Sequence, residues 1–329
     1  MATTSTTELI KAGAKAAERA ARVLAAGGLV AFPTETVYGL GADAGNGEAI
    51  ARLYEAKGRP AFNPLIAHVA DLAFAPRIAR FDINAQRLAS AFWPGPLTLV
   101  LPKVPGCRVA ELAVAGLDTI AVRSPSHPTA RAILAAFGGP IVAPSANRSG
   151  HVSPTTAMHV VEDLGGRVDL IVDGGATPMG LESTIVACLG EPTLLRPGAL
   201  PRADIERIVA LRVPAPVAGP SQDADELPIA PGQLASHYAP HARLRLNARI
   251  VERGEALLAF GPAPVAGADA AATLNLSERG DLIEAAANLF AHLRALDAAG
   301  AATIAVAPIP NEGLGEAIND RLARPAAPR

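Results

Sequence analysis

The chain has 329 residues, of which 50% are hydrophobic and 18% are charged, and its formal net charge is −2 at pH 7. This length and apolar content predict a folded protein of two domains and exclude an intrinsically disordered chain. The near-neutral charge excludes the strong basic excess of a dedicated nucleic-acid-binding protein.

Apolar periodicity predicts alternating helices and strands along residues 8–211. The pattern begins with a helix at 8–26, a short buried strand at 29–32 and a second helix at 47–56. Further strands are predicted at 97–101, 119–122, 141–143, 170–172, 184–187 and 193–195, and further helices at 84–92, 129–137, 155–164 and 203–211. Because several strands follow one another without a helix between them, the sequence predicts a mixed α/β sheet rather than a regular doubly wound one.

The texture of the sequence changes after residue 211. Residues 213–231 are rich in Pro, Gly, Ala and acidic residues and have no sustained period, which predicts a linker. Strands at 244–246, 256–260 and 304–307 and helices at 281–297 and 312–322 then predict a small Rossmann-like α/β domain without a GxGxxG motif. The predicted organisation is a large domain at 1–211, a linker at 212–240 and a small domain at 241–329.

The cysteines and the N-terminus bear on the compartment. Cys107 and Cys188 are too few for a disulfide framework and lack metal-ligand spacing, so we interpret them as small buried hydrophobes. The N-terminus is polar, and no apolar run reaches the length of about 18 residues that a membrane span requires. We therefore expect a cytoplasmic protein that does not associate with membranes.

Polar segments follow several of the predicted strands and carry the candidate chemistry. Lys57 and Arg59 come just after a helix end, where they are either surface charges that compensate the helix dipole or a clamp for phosphate or carboxylate oxygens. Arg123 and Arg196 end apolar strands, and a buried guanidinium needs a partner, either a structural acid or a substrate carboxylate. The sequence contains no Walker A loop, GxSxG elbow or HExxH motif to indicate another chemistry.

A set of short motifs occurs in a fixed order along residues 33–240. In chain order they are PTETVYGLG, KGRP with NPL, WPGPLTLVL, TIAVR, APSAN with SG and SPT, GLESTIV, LRPG and HYAP. Together they resemble the YrdC-domain family of threonylcarbamoyl-AMP synthases, and HYAP followed by a short α/β domain resembles the long two-domain form. The resemblance implies a YrdC-type twisted mixed sheet with helices around a large cavity, with the linker serving as a lid.

The resemblance also assigns roles to individual residues. Lys57 and Arg59 are expected to be catalytic and to contact the phosphates or bicarbonate. The residues expected to bind L-threonine are Thr36, His68, Arg123, Ala143 and Ser183. The residues expected to bind ATP are Arg59, Asn63, Thr119, Ser145, Asn147, Ser153, Arg196 and Tyr238. No residue is expected to ligate a metal directly.

The reaction implied by the resemblance joins L-threonine, bicarbonate and ATP into threonylcarbamoyl-AMP, with pyrophosphate and water as the other products. It serves the modification of tRNA beside the anticodon. ATP is then a substrate, Mg²⁺ is carried by the nucleotide, and a downstream tRNA threonylcarbamoyl transferase is a partner, with no stable nucleic-acid binding. Two alternatives remain. A carbamoyl-adenylate-forming carbamoyltransferase would need zinc fingers that two isolated cysteines cannot supply, and an RNA-binding module is disfavoured by the near-neutral charge.

Overall fold

The computed structural model of the chain describes residues 6–214, 239–267 and 269–326. Within these residues the strands form a ten-stranded mixed sheet, a four-stranded sheet and a two-stranded ribbon. Residues up to 196 build the large sheet, and residues after 240 build the other two. Parallel and antiparallel pairs both occur in the large sheet, which confirms the predicted mixed α/β class.

The elements of the large sheet alternate with helices that cover it. Its strands are β1 (Glu8–Lys11), β2 (Val30–Pro33), β3 (Tyr38–Asp43), β4 (Ile66–His68), β5 (Leu97–Pro102), β6 (Thr119–Arg123), β7 (Ile141–Val142), β8 (Leu170–Asp173), β9 (Thr184–Ala187) and β10 (Thr193–Arg196). The helices in this part are α1 (Ala14–Ala25), α2 (Gly47–Lys57), α3 (Ile83–Phe92), α4 (Pro128–Phe137), α5 (Ala157–Leu164) and α6 (Arg202–Val209), with short 3-10 turns at Ala75–Arg77 and Glu111–Val114.

The C-terminal part is the small Rossmann-like unit that the sequence predicted. Its strands are β11 (Arg243–Arg245), β12 (Ile250–Val251), β13 (Ala256–Ala259), β14 (Ala266–Gly267), β15 (Thr273–Asn275) and β16 (Thr303–Val306), and its helices are α7 (Leu282–Ala298) and α8 (Leu314–Ala326). The four-stranded sheet has the order β11-β16-β13-β15, and every pair in it is parallel. Parallel strands need crossover connections, which α7 supplies between β15 and β16.

The first predicted helix is wrong over its first residues. Residues 8–11 form β1, which pairs in parallel with β8 so that Glu8 lies opposite Leu170, and the helix begins only at Ala14. The apolar spacing does continue backwards from the helix, but β8 offers an edge whose backbone groups need partners. Tertiary pairing therefore overrides the local helical pattern.

Two strands that the sequence pattern did not reveal lie close to the candidate site. β3 carries Gly39 and Gly41, which weaken a strand signal, and β4 has only three residues, too few to show a period. The other predicted elements are observed with their ends shifted by a few residues.

The strand order of the large sheet positions the polar segments. The order is β1-β8-β2-β3-β7-β4-β6-β5-β9-β10. β4 and β6 are parallel neighbours, with His68 opposite Arg123, and β5 connects β6 on one side to β9 on the other. The loops at the ends of β2, β4, β6, β7, β9 and β10 carry most of the candidate residues.

A shared apolar core joins the two parts of the chain. The C-terminal helices and strands bury residues such as Leu289 and Phe290 in one cluster. The same cluster includes Val37, Val152 and Leu181, which belong to loops of the large sheet. These contacts pack the C-terminal unit directly against loops that flank the candidate site.

Most of the predicted linker, with the HYAP tyrosine Tyr238, lies outside the described residues. The domain limits at 211 and 240 therefore stay a prediction. None of the helices within the described ranges has the length and apolar character needed to cross a membrane.

Candidate active site

A buried ion pair joins the turn after β2 to the end of β6. Nη2 of Arg123 donates to Oε1 of Glu35 at 2.6 Å and to Oγ1 of Thr36 at 2.9 Å, and its Nε donates to the carbonyl oxygen of Gly95 at 3.2 Å. The second carboxylate oxygen of Glu35 accepts from two backbone N–H groups in the loop after β6. Burial by itself raises the pKa of Glu35, but the charge and hydrogen bond of Arg123 outweigh it and hold that pKa below its usual value. Arg123 thus has a structural acid as its partner.

His68 lies beside this pair, at the end of β4. It stands opposite Arg123 in the strand register, and its Nδ1 lies 3.2 Å from the carbonyl oxygen of Ile66. Burial and the neighbouring charge of Arg123 lower the pKa of His68 to about 3. The imidazole is therefore neutral near pH 7 and can form hydrogen bonds without adding a charge.

Lys57 occupies the last turn of α2 and is buried, with 3% of its surface exposed. The helix ends at Gly58, which adopts a left-handed conformation with φ 59° that suits glycine. The Lys57 ammonium donates to the carbonyl oxygens of Ser145 and Asn147 in the loop after β7. Burial, followed by the charge of Arg59, lowers the pKa of Lys57 well below its usual value. Arg59 is buried as well, so the interpretation of Lys57 and Arg59 as surface charges that compensate the helix dipole is wrong.

Arg59 and Asn63 lie in the loop between α2 and β4. Nη2 of Arg59 donates to the carbonyl oxygen of Pro64 at 3.1 Å, and the hydroxyl of Tyr54 donates to the carbonyl oxygen of Asn63 at 3.0 Å. The side chain of Asn63 is buried, and both Nδ2 and Oδ1 lack a hydrogen-bond partner among the described residues. A buried amide is costly unless something satisfies it. Asn63 thus indicates a ligand at this loop.

The site extends along β6. The parallel pairing of β4 with β6 begins with Ile66 opposite Ala121 and ends with His68 opposite Arg123. The loop that carries Arg59 and Asn63 therefore enters β4 from the Thr119 end of β6, whereas Arg123 ends the strand on the other side. Four residue steps along a strand span about 13 Å. The candidate site is thus elongated, and we refer to its two sides as the Thr119 end and the Arg123 end.

A second group of polar side chains lies where β9 begins and β10 ends. Arg196 donates through Nη2 to the carbonyl oxygen of Ser183 at 2.8 Å and to its Oγ at 3.2 Å. The hydroxyl of Ser183 also lies 2.8 Å from that of Thr98 on β5. Thr184 pairs with Leu97, the first residue of β5, and the start of β5 lies beside the end of β6 because these two strands are antiparallel. This group therefore lies at the Arg123 end of the site.

Glu182, the residue before Ser183, connects the site to the C-terminal unit. The hydroxyl of Ser153 donates to Oε1 of Glu182 at 2.5 Å. Nε of Arg321, on α8, donates to Oε2 of Glu182 at 2.7 Å. An arginine from the C-terminal unit therefore reaches the loop that precedes β9.

The structure places most of the sequence-predicted residues in these linked groups. Ala143 is buried, and its N–H donates to the carbonyl oxygen of Ile66 at 3.0 Å. Asn147 donates through Nδ2 to the carbonyl oxygen of His151 at 2.7 Å, while its buried Oδ1 has no partner among the described residues. Tyr238 falls outside those residues. The roles assigned to individual residues stay predictions.

Sequence reasoning did not identify Glu35 as the partner of Arg123, and it missed three further residues that hold the site together: Thr98, Glu182 and Arg321. Glu35 and Glu182 stand inside the PTET and GLEST motifs, and the need of a buried arginine for an acid was a signal that could have identified them. Arg321 had no such signal, because it lies far along the chain in a segment without a motif.

The electrostatics of the arrangement favour anionic ligands. Four cationic side chains are buried around it, at 3% to 8% exposure: Lys57, Arg59, Arg123 and Arg196. Fixed cations in a water-poor site bind carboxylate and phosphate oxygens strongly, because solvent screens them little. Within the described residues, no group of three or more His, Cys, Asp or Glu side chains could hold a metal ion.

Comparisons with known proteins agree along the whole chain. A family model described as "Telomere recombination" matches residues 22–198, and one described as "Threonylcarbamoyl-AMP synthase, C-terminal domain" matches residues 200–327. A threonylcarbamoyl-AMP synthase of Bacillus subtilis is 41% identical over 325 residues, covering 94% of this chain and 93% of its own. One of Pyrococcus abyssi is 42% identical over 322 residues, covering 92% of each chain. The crystal structure of P. abyssi Sua5 complexed with L-threonine matches with a TM-score of 0.88 at 38% identity, over 97% of this chain and 98% of that one.

Proposed function

The chain belongs to the threonylcarbamoyl-AMP synthase family, and we propose that it makes threonylcarbamoyl-AMP from L-threonine, bicarbonate and ATP. The observation that carries the proposal is the set of four buried cations along one elongated site, together with the buried amide of Asn63, which has no hydrogen-bond partner among the described residues. Every substrate of this reaction carries a carboxylate, carbonate or phosphate, and the site offers a buried cation to each.

We propose that L-threonine binds at the Arg123 end. Among the described residues, the bonds of Arg123 to Glu35, Thr36 and Gly95 use Nε and Nη2, so the Nη1 edge of the guanidinium can face a substrate carboxylate. Neutral His68 can accept or donate a hydrogen bond to the substrate, and Ser183 offers a hydroxyl. A P. abyssi relative has been crystallised with L-threonine, which supports a threonine site in this fold.

ATP is proposed to extend towards the Thr119 end. Asn63 would satisfy its buried amide on the nucleotide, and Thr119 lies at the same end of β6. Lys57 and Arg59 would contact the phosphates or bicarbonate between the two ends, next to the backbone of Ser145 and Asn147. Ser153 and Arg196 are the remaining proposed contacts within the described residues, and Tyr238 is one proposed from the linker.

The reaction then proceeds in two steps. The amine of threonine attacks the carbon of bicarbonate and forms an N-carboxy-threonine with loss of water. The new carboxylate attacks the α-phosphorus of ATP in line, and the bond to the pyrophosphate leaving group breaks. The protein needs no covalent nucleophile for either step, so its contribution is positioning and charge stabilisation by Lys57, Arg59 and Arg123.

The two carboxylates described at this site, those of Glu35 and Glu182, are both engaged by arginines. Glu35 is paired with Arg123 and Glu182 with Arg321, so neither is offered to a cation. We therefore propose that Mg²⁺ enters on the oxygens of the nucleotide, which supply ligands of the type that it prefers. It would offset phosphate charge there, and no step is assigned to a protein–metal bond.

The product fits a supply role for tRNA modification in the cytoplasm. Both cysteines are free thiols, which suits a reducing compartment. A mixed anhydride with AMP is an activated acyl donor, so a downstream transferase must consume it. We propose a tRNA threonylcarbamoyl transferase in that role.

Pyrophosphate release from ATP, measured with threonine and bicarbonate omitted in turn, tests the proposal. We expect release to require both. Lys57→Ala and Arg59→Ala should each lower synthesis about a hundredfold or more, because removing one preorganised charge contact costs ~2.7–4 kcal/mol. Lys11→Ala is the matched control, since that side chain is 87% exposed.

Three other results of these assays would contradict the proposed reaction or the proposed contacts. Turnover supported by carbamoyl phosphate without threonine would favour a carbamoyltransferase. The absence of turnover together with tight RNA binding would favour an RNA-binding module. Near-normal rates in both the Lys57 and Arg59 variants would contradict the proposed phosphate contacts.

A further inference from the structure

Arg321 lies on α8 of the C-terminal unit and is fully buried, with 0% exposure. Its Nε donates to Oε2 of Glu182 at 2.7 Å, and its Nη2 donates to the carbonyl oxygen of Pro197 at 2.9 Å. Glu182 precedes Ser183, and Pro197 follows Arg196. One side chain of α8 thus holds both backbone segments that present proposed substrate contacts.

The carboxylate of Glu182 transmits this contact to the proposed ATP site. Its Oε1 accepts the hydroxyl of Ser153 at 2.5 Å. Burial by itself raises the pKa of Glu182, but the charges of Arg321 and Arg196 and the hydrogen bond of Ser153 hold that pKa below its usual value. Glu182 is therefore an anion that fixes the rotamer of Ser153 and offsets the charge of Arg196.

A second arginine of the C-terminal unit contacts the same segment. Arg294 of α7 donates through Nη2 to the carbonyl oxygen of Val152, the residue before Ser153. It also donates to Oδ2 of Asp163 at 2.9 Å. The loop that carries Ser153 is thus held at its backbone by Arg294 of α7. It is held at the Ser153 side chain by Glu182, whose carboxylate Arg321 of α8 contacts.

Stability alone does not explain a charged residue at position 321. The contact between the two units includes an apolar cluster with Val37, Val152 and Leu181 beside its ion pairs, so apolar packing is available near α8. A buried ion pair adds little stability over well-packed apolar side chains, because its desolvation offsets its attraction. We therefore attribute the arginine at this position to the specific hydrogen bonds that it makes rather than to a gain in stability.

We propose that Arg321 is a positioning residue for ATP, which acts through Glu182 to fix Ser153 and to set the charge beside Arg196. The C-terminal unit then completes the active site instead of merely accompanying it. This inference rests on the proposed function, because it assumes that Ser153 and Arg196 contact the nucleotide.

Steady-state kinetics of the full chain test the inference. Arg321→Met keeps an unbranched apolar stem but removes the guanidinium and its charge, and we expect it to raise the KM for ATP at least about tenfold while changing the KM for threonine by less than about threefold. Arg321→Lys restores the charge and should recover part of the loss. Glu316→Gln is the matched control on the same helix: it breaks an ion pair with Arg202 that also joins the two units but does not contact Glu182.

A merely structural role would give a different pattern. Arg321→Met would then lower the thermal midpoint, yet the KM for ATP, measured well below that midpoint, would stay within twofold of the wild type, and this result would overturn the inference. If Arg321→Met does not fold, Glu182→Gln takes its place, because it keeps the shape of the acid without its charge. An unchanged KM for ATP in both Glu182→Gln and Arg321→Lys would also overturn the inference. Failure of the proposed function is separate, because the wild type itself would then release no pyrophosphate that depends on threonine.

Discussion

Replacing Glu35 with glutamine tests how strongly the site depends on its buried ion pair. Glu35 and Arg123 are each 5% exposed, and the carboxylate accepts from the guanidinium at 2.6 Å and from two backbone N–H groups. Glu35→Gln preserves the shape but leaves the charge of Arg123 buried without a counter-ion. Because breaking a buried pair from one side costs ~3–5 kcal/mol, and glutamine keeps one acceptor oxygen, we expect a loss near the lower limit, about 3 kcal/mol.

The effect should depend on pH with a definite sign. The pKa of Glu35 in the folded protein is below its usual value of 4.5. The contribution of the pair is therefore fully present above the unfolded value and is lost as the pH falls through the folded value. The difference in unfolding free energy between the wild type and Glu35→Gln should be constant near neutral pH and shrink in acid. Threonine affinity should also fall in the variant, because Arg123 loses the partner that orients it.

The single tryptophan provides the assay. Trp93 is buried near the site, and its Nε1 donates to the carbonyl oxygen of Leu97 at 2.7 Å, so its fluorescence reports unfolding of the large sheet in urea. Glu8→Gln serves as the control, since the Glu8–Arg19 pair is more than two-fifths exposed on both sides and should contribute at most about 1 kcal/mol. A Glu35→Gln variant whose unfolding free energy at pH 7 differs from the wild type by no more than the control would refute this reasoning.

Two further predictions follow from the geometry. Because burial lowers the pKa of Lys57, a bound anion should raise that pKa again, so nucleotide binding should take up a proton at any pH where Lys57 is partly deprotonated in the free protein. Calorimetric enthalpies should then differ between Tris and HEPES in the wild type but not in Lys57→Met, and equal wild-type enthalpies would contradict the prediction. Gly198→Ala places a Cβ 2.5 Å from the backbone of Glu182 and Ser183, so we expect ~1–3 kcal/mol of destabilisation and a clear loss of turnover. Gly47→Ala, which meets no atom within 4 Å, should leave both unchanged, and equal behaviour of the two variants in thermal melts and turnover would show that the close contact is not rigid.

The sequence indicated residues of the candidate site without indicating how the backbone brings them together. Arg123 and Arg196 were candidates because a buried guanidinium at the end of an apolar strand needs a partner, whereas Lys57 and Arg59 could equally have been exposed charges at a helix end. The same reasoning could not say which acid would pair with Arg123, since Glu35 is 88 residues away along the chain. It also assigned residues 8–11 to a helix, because a local apolar period does not reveal the edge of β8 with which they pair.

The sequence by itself determined the α/β class, the small C-terminal α/β unit and the residue types of the site. Those features depend on local periodicity and on motifs, which are written in contiguous residues. Only the tertiary structure decided that Lys57 is buried against the loop after β7, that the Asn63 amide is buried without a partner in the described part of the chain, and that Arg321 reaches Glu182. These are contacts between segments distant in sequence, and their energies depend on burial and on partners that no local pattern specifies. The cations that the sequence indicated thus line an elongated site, and Arg321, near the C-terminus, holds the segments that carry Ser183 and Arg196.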